Sequence, residues 1–190
     1  MKNQYAQLSS PLADLLKLFK AAKQQGVVIG GVASSLLGKP RFTADIDMLS
    51  LMPLQQVAEF VNIAKNHHIV PRVNAAVAFA RHNRVLLMKH LPSGIFIDIS
   101  LGNLIFEEEL FQRAIKLRLG KLNIPLPSVE DLIIMKICAN REKDIEDVRG
   151  LVEKNSRLDK KRILFWVKEY GELLANSNMI DTCKKLLKRH

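Results

Sequence analysis

The chain has 190 residues, of which 48% are hydrophobic and 25% are charged, an ordinary balance for a globular protein. Its 29 Lys and Arg against 19 Asp and Glu give a formal charge of +10, which favours a polyanionic partner, although a solvated surface alone can carry the same excess. The N-terminus lacks the apolar stretch of a signal peptide, and no apolar run approaches the ~20 residues of a membrane helix, so the sequence predicts a cytoplasmic protein without a membrane partner.

The first hundred residues are predicted to mix helices and strands. Ser10-Pro11 is a helix-start signal, and Pro53 opens a later helix. The predicted helices are 10–25, 32–37 and 53–67. The predicted strands are 27–29, 45–49, 69–73, 77–80, 84–89 and 95–100. The turn Pro92-Ser93-Gly94 joins the last two strands as a hairpin.

Beyond Gly102 the pattern becomes mainly helical. Extended pieces at 116–124, broken at Gly120, follow a first helix, and Ser128 then caps an apolar helix. The predicted helices of this half are 104–114, 128–139, 144–154, 159–174 and 179–189. We therefore expect an α+β core over residues 1–125, with a short mixed sheet flanked by helices. A helical C-terminal region over residues 126–190 is expected to pack on that core.

Two carboxylates stand on one face of a predicted strand. In the run Asp45-Ile46-Asp47-Met48, alternate side chains point to opposite faces, so Asp45 and Asp47 share one side while Ile46 and Met48 enter the core. Adjacent carboxylates repel each other, and a divalent cation relieves that repulsion. The alternative is the polar face of an edge strand without a ligand.

A third carboxylate and a glycine turn extend this pattern. Asp98 lies between apolar residues in the strand IFIDIS, where a carboxylate needs either solvent or a cation. Three acids from two neighbouring strands make an oxygen site suited to Mg²⁺. Gly30-Gly31 follows the strand 27–29 and opens a helix, an arrangement that can bind phosphate but is also compatible with a simple tight turn.

The order of these features resembles the DNA polymerase β-like nucleotidyltransferase superfamily. The segment GGVASSLLGKPRFTADID is similar to the bacterial branch that contains the AbiEii-type toxins, and SVEDLIIMKICANREKDIEDV is similar to a later helical segment of that branch. The matching positions of the first motif are Gly30, Gly31, Ala33, Gly38, Arg41, Thr43, Asp45 and Asp47. Those of the second are Lys136, Arg141, Lys143, Asp144 and Asp147. Val32 and Leu37 depart from residues that are common in the branch.

The resemblance implies a catalytic site with two Mg²⁺ ions and an NTP such as ATP as substrate. Asp45, Asp47 and Asp98 would be the catalytic and metal-binding acids. The candidate nucleotide-binding residues are Gly30, Gly31, Ser34, Arg41, Thr43, Lys136, Arg141 and Asp144.

Several of these residues also have simpler interpretations. Ser34 fits equally well as a small residue in a packed helix, and Arg41 as a turn arginine. Lys136 stands on an apolar helix, where a lysine normally extends its amine to solvent. Arg141 and Asp144 can form an ordinary pair on a helix surface.

The function expected from the sequence is transfer of NMP from an NTP to a hydroxyl acceptor, with release of pyrophosphate. The positive charge favours RNA, such as tRNA, as the acceptor, and the AbiEii-type resemblance adds a cognate antitoxin as a candidate partner. The alternatives are an enzyme that modifies a small molecule such as an antibiotic, and a nucleotide-binding module without catalysis. Three retained acids argue against the last.

Overall fold

The computed structural model describes residues 6–176 and 178–188. Two compact units lie within them. The first contains the described residues up to Val32 together with Phe42–Leu126, and the second contains Ala33–Arg41 together with the described residues from Pro127 onward. No helix of the described ranges is long and apolar enough to cross a membrane.

Strands and helices alternate irregularly along the chain. The strands are β1 Val27–Ile29, β2 Asp45–Ser50, β3 Ile69–Pro71, β4 Val85–His90, β5 Phe96–Leu101, β6 Ile115–Leu119 and β7 Leu122–Leu126. The helices are α1 Ala6–Ala21, α2 Gly30–Leu37, α3 Val57–Ala64, α4 Ala76–Asn83, α5 Ile105–Arg113, α6 Val129–Ala139, α7 Glu142–Lys154, α8 Lys160–Leu173 and α9 Asn178–Leu187.

The main sheet of the first unit has the strand order β1-β2-β5-β4-β3 among the described residues. Strands β2 and β5 are parallel, and every other pairing in this sheet is antiparallel. Side chains on one face of β2 and β5 form the core, where Ile46, Met48, Ile97 and Ile99 are fully buried. The mixed sheet confirms the predicted α+β class, and its other face is left for the polar residues of the same strands.

Two sequence-based assignments in the first unit are wrong. The strand predicted at 77–80 is part of α4, because its alanine-rich sequence favours a helix, and Ala80 faces the core while Ala78 is exposed. The helix predicted to begin at Ser10-Pro11 is already formed at Ala6, with Pro11 inside it. Its buried face extends upstream of the proline to Leu8, and this burial outweighs the single backbone hydrogen bond that Pro11 cannot donate.

Strands β6 and β7 form a separate two-stranded hairpin, with Leu119 opposite Leu122. This confirms the extended pieces predicted on either side of Gly120, which has a positive φ of 59° at the turn. The apolar side of the hairpin includes the buried Ile124 and Leu126. Its other side carries the exposed cations Lys116 and Arg118, and Lys121 is exposed at the turn.

The second unit consists of α6 to α9 and the segment 33–41. Three hydrogen bonds tie this segment to the end of α7. Lys154 Nζ donates to the carbonyl oxygens of Leu36 (3.3 Å) and Gly38 (3.1 Å), and Asn155 Nδ2 donates to that of Leu37 (3.0 Å). Donors from α7 thus satisfy carbonyl groups at the C-terminal end of α2, where intrahelical partners are lacking.

Candidate active site

Asp45, Asp47 and Asp98 occupy one face of the main sheet, which we call the carboxylate face. Asp47 and Asp98 are register partners on the adjacent parallel strands β2 and β5. Asp45 lies two residues earlier on β2, where its register partner is Phe96. The shared side of Asp45 and Asp47 follows from strand alternation, as does the burial of Ile46 and Met48 behind them.

The glycine turn lies directly beside this face. Gly30 is at the start of α2 with a positive φ of 63°, a conformation that a residue with a side chain rarely adopts. A Cβ atom at this position would come within 1.9 Å of Asp47 Oδ2. Only glycine therefore lets the chain pass so close to the Asp47 carboxylate and still begin a helix, whose first amide groups have no intrahelical partner.

The other two acids of the carboxylate face, Asp45 and Asp98, each accept hydrogen bonds from a neighbouring side chain. Thr43 Oγ1 donates to Asp45 Oδ1 at 3.0 Å. Arg72 Nη2 donates to both oxygens of Asp98, at 2.7 and 3.0 Å. Thr43, predicted to bind nucleotide, thus contacts a predicted metal ligand, and Arg72 is a neighbour that the sequence interpretation missed.

The carboxylate oxygens of Asp45, Asp47 and Asp98 are chemically suited to bind a divalent cation. Carboxylate oxygens are the ligands that Mg²⁺ prefers, and the in-register placement of Asp47 and Asp98 brings two of them together on one side of the sheet. As the side chains stand, no group of three or more His, Cys, Asp or Glu is spaced to enclose an ion within residues 6–176 and 178–188. The assignment of the three acids as metal ligands stays a prediction.

Five other residues of the sequence motifs form what we call the ion-pair network in the second unit. Asp147 accepts hydrogen bonds from Arg41 Nε (2.6 Å) and Arg41 Nη2 (2.9 Å), and its Oδ2 lies 2.8 Å from Lys136 Nζ. Lys136 also donates to Asp144 Oδ1 at 2.8 Å. Arg141 Nε donates to Asp144 Oδ2 at 2.5 Å.

The network is deeply buried at its centre. The side chains of Asp144 and Lys136 are 0% and 4% exposed, whereas that of Arg141 is 60% exposed. Lys136 therefore does not extend to solvent, and the pair of Arg141 and Asp144 is not an ordinary surface pair. Three cations share two carboxylates, so the network carries one excess positive charge.

Burial and hydrogen bonding act in opposite directions on the two acids of the network. Burial raises the pKa of Asp144, but hydrogen bonds from Arg141 and Lys136 outweigh it and hold the pKa below its ordinary value. For Asp147, burial likewise raises the pKa, and the bonds from Arg41 and Lys136 lower it further than burial raises it. Both acids are therefore ionised at neutral pH.

The two serine residues of α2 differ in their contacts. Ser35 Oγ donates to the carbonyl oxygen of Arg41 and accepts from its backbone N–H, at 3.0 and 2.9 Å, so it closes the turn between them. Ser34 Oγ is buried and has no hydrogen-bond partner among the described residues. Gly31 is buried in the first turn of α2. The nucleotide-binding roles of Ser34 and Gly31 stay predictions.

The sheet, its carboxylate face and the adjoining glycine turn define a protein with a nucleotidyltransferase-like fold. The chain belongs to the family described as "Nucleotidyltransferase of unknown function (DUF6036)", which matches residues 6–176. The family confirms that the chain is a nucleotidyltransferase by descent, as the sequence motifs predict, without assigning it to the AbiEii-type branch. No curated protein sequence matches it.

Several solved structures resemble the chain, and two of them illustrate the likeness. One is an antigenic nucleotidyltransferase-like protein from Paracoccidioides brasiliensis, with 12% identity, a TM-score of 0.51, and coverage of 94% of this chain and 92% of that one. The other is the lincosamide antibiotic adenylyltransferase LnuA in its lincomycin-bound form, with 17% identity, a TM-score of 0.53, and coverage of 77% and 98%. At these identities, the likeness establishes the shared fold.

Proposed function

We propose that the protein transfers NMP from an NTP to a hydroxyl acceptor and releases pyrophosphate. The observation that carries the proposal is the register pairing of Asp47 with Asp98 on adjacent parallel strands, beside the glycine turn at Gly30. Asp45, Asp47 and Asp98 would hold two Mg²⁺ ions. Bound there, Mg²⁺ supplies the positive charge that neutralises the triphosphate and the leaving pyrophosphate.

Other groups of the chain would bind the phosphates and accept the proton of the acceptor. Amide groups of Gly30, Gly31 and the first turn of α2 would bind phosphate oxygens. The acceptor oxygen attacks the α-phosphorus, and the bond from that phosphorus to the oxygen bridging to the β-phosphate breaks. The acceptor's proton passes to Asp98, since an unaided hydroxyl ionises far too weakly at neutral pH.

RNA such as tRNA is the acceptor that we favour. The chain has an excess of ten positive charges. Part of this excess lies on the β6–β7 hairpin, where Lys116, Arg118 and Lys121 are exposed and no acid occurs from Ala114 to Ser128. Two-stranded ribbons with cations on one side can contact a phosphate backbone. An RNA acceptor suits an AbiEii-type toxin, whose partner would be a cognate antitoxin.

A small-molecule acceptor is the second candidate. It is favoured by the structural likeness to an adenylyltransferase that acts on a lincosamide antibiotic. The two candidates use the same carboxylate face and differ only in the hydroxyl that receives the nucleotide. A comparison of acceptors therefore separates them without any change to the protein.

The test is incubation of the protein with each α-labelled NTP, Mg²⁺, and either total tRNA or lincomycin. We expect labelled tRNA with the wild type and none with the double variant Asp45→Ala, Asp47→Ala. The variant Asp181→Ala, which alters an exposed acid on α9, is the matched control and should label normally. Labelled lincomycin alone would replace the RNA acceptor by the second candidate. Calorimetric binding of Mg²⁺–NTP without any labelled product would favour a non-catalytic module.

A further inference from the structure

Arg72 is built into the edge of the carboxylate face. Its backbone N–H donates to the carbonyl oxygen of Leu87 at 3.1 Å, and Leu87 is the register partner of Asp98. This ladder places the Arg72 side chain in the same row as Asp98, and one guanidinium nitrogen contacts both carboxylate oxygens, at 2.7 and 3.0 Å. The guanidinium carbon also lies 4.9 Å from the centre of the Phe96 ring, a cation–π distance.

These contacts put a cation at the oxygens that a metal ion would use. Asp98 faces Asp47 across β2 and β5, and two carboxylates directly opposite each other repel unless a cation lies beside them. Arg72 provides that counter-ion from within the chain. Both side chains remain partly open to solvent, at 26% for Arg72 and 32% for Asp98, so an entering ion can reach the carboxylate.

We propose that Arg72 is the internal counter-ion of Asp98, and that a divalent cation binds Asp98 by displacing it. The proposal rests on the proposed function, because it takes Asp98 as a metal ligand. Arg72 acts through Asp98 and is therefore a positioning residue. It holds the Asp98 carboxylate in place before the metal arrives, and it lowers the affinity of Asp98 for the metal.

The test is titration of the full chain with Mn²⁺, followed by electron paramagnetic resonance of the free ion. We expect Arg72→Met to tighten Mn²⁺ binding about three- to fivefold, which is the size of a partly exposed ion pair. Arg72→Lys should bind close to wild type because it retains the charge. Arg72→Met should have no effect in a chain that also carries Asp98→Asn, since the competing carboxylate is then uncharged.

Arg81→Met is the matched control because Arg81 is an exposed arginine on α4. It should bind Mn²⁺ as the wild type does, and Arg72→Gln serves as the second neutral variant if Arg72→Met does not fold. Unchanged or weaker Mn²⁺ binding by the neutral variants, or the same gain in the Asp98→Asn background, would overturn the role of Arg72. Failure of the wild type to bind Mn²⁺, with or without NTP, would overturn the metal site itself and the proposed function with it.

Discussion

Asp47 and Asp98 are register partners on the adjacent parallel strands β2 and β5, with their carboxylates on the same face of the sheet. This arrangement places two like charges side by side, which lowers stability in the absence of a cation. Residues that reduce stability in this way are expected at sites where charge is needed for function.

We predict that Asp47→Asn abolishes transfer while the protein stays folded. The amide cannot replace a charged metal ligand, and the rate should fall by at least about 100-fold, as for removal of one group that stabilises charge in a transition state. Thermal unfolding should show that the variant is folded at the temperature of the assay, so that the loss of transfer does not come from unfolding. Labelled transfer and thermal unfolding are the measurements, with Asp181→Asn as control. Retention of more than a tenth of the rate would contradict the assignment of Asp47.

Gly30→Ala is expected to strain the backbone at position 30 and to move the carboxylate of Asp47. A positive φ costs a residue with a Cβ roughly 1–2 kcal/mol, and here the added atom would also displace the Asp47 side chain. Gly120 has a nearly equal φ of 59° but no atom within 4 Å of an added Cβ, so Gly120→Ala isolates the backbone cost. Urea unfolding measures the backbone cost of each substitution. Calorimetry with Mg²⁺–NTP should show weaker nucleotide binding for Gly30→Ala alone. Equal effects of the two substitutions would exclude the close approach as a cause.

Lys136→Met should be strongly destabilising at neutral pH. It removes the shared cation from the buried Asp144 and Asp147, each of which keeps one arginine, and the loss of a hydrogen bond to a charged group typically costs about 1.5–3 kcal/mol. Lys143→Met alters an exposed lysine next to Asp144 and serves as the control. The free energy of unfolding in urea at pH 7 is the measurement. A cost below about 1 kcal/mol would mean that solvent or other groups compensate the two acids.

The same network predicts a loss of stability in acid. The folded pKa values of Asp144 and Asp147 lie below their ordinary value of 3.8, so the contribution of these acids is fully present above that pH and is lost as the pH falls through the lowered folded values. The cost of Lys136→Met should shrink over the same range because protonated carboxyls no longer need the lysine. Urea unfolding between pH 7 and pH 3 checks this. A cost that does not vary with pH would contradict the ionised network.

If RNA is the acceptor, the hairpin cations should contribute to its binding. The triple substitution of Lys116, Arg118 and Lys121 by Gln should weaken tRNA binding and reduce the slope of log K against log salt concentration by about 2, since each phosphate contact contributes roughly 0.7–0.9. A matched triple substitution at the exposed Lys20, Lys23 and Lys65 should leave the slope unchanged. Fluorescence anisotropy at several salt concentrations measures both. Equal slopes would place the RNA contact elsewhere.

The shared side of Asp45 and Asp47 could be predicted from the sequence because its signals are local. Strand alternation alone places Asp45 and Asp47 together, and Ile46 and Met48 in the core. The fold class follows from the order of strands and helices and from the family resemblance. The strand prediction at 77–80 is wrong because four residues of Ala-rich sequence have no period that separates a strand from a helix.

The environments of Arg72 and Lys136 could not be predicted in this way. Arg72 reaches Asp98 because β3, β4 and β5 are neighbours, an order that no local pattern specifies. Lys136 is buried with its charge paired by Asp144 and Asp147, and Asp147 also binds Arg41, which lies 106 residues before Asp147 in the chain. Local periodicity shows that Lys136 lies on an apolar helix, but it cannot show that two carboxylates are present to receive the charge.

The reaction class is tested most directly by supplying the protein with Mg²⁺, total tRNA and the same NTP labelled either at the α- or at the γ-phosphate. We predict that the α-label joins the acceptor and that the γ-label is released as pyrophosphate, and that neither occurs when Asp45 and Asp47 are both replaced by Ala. Transfer of the γ-label to the acceptor, or its release as inorganic phosphate by the purified wild type, would contradict nucleotidyl transfer.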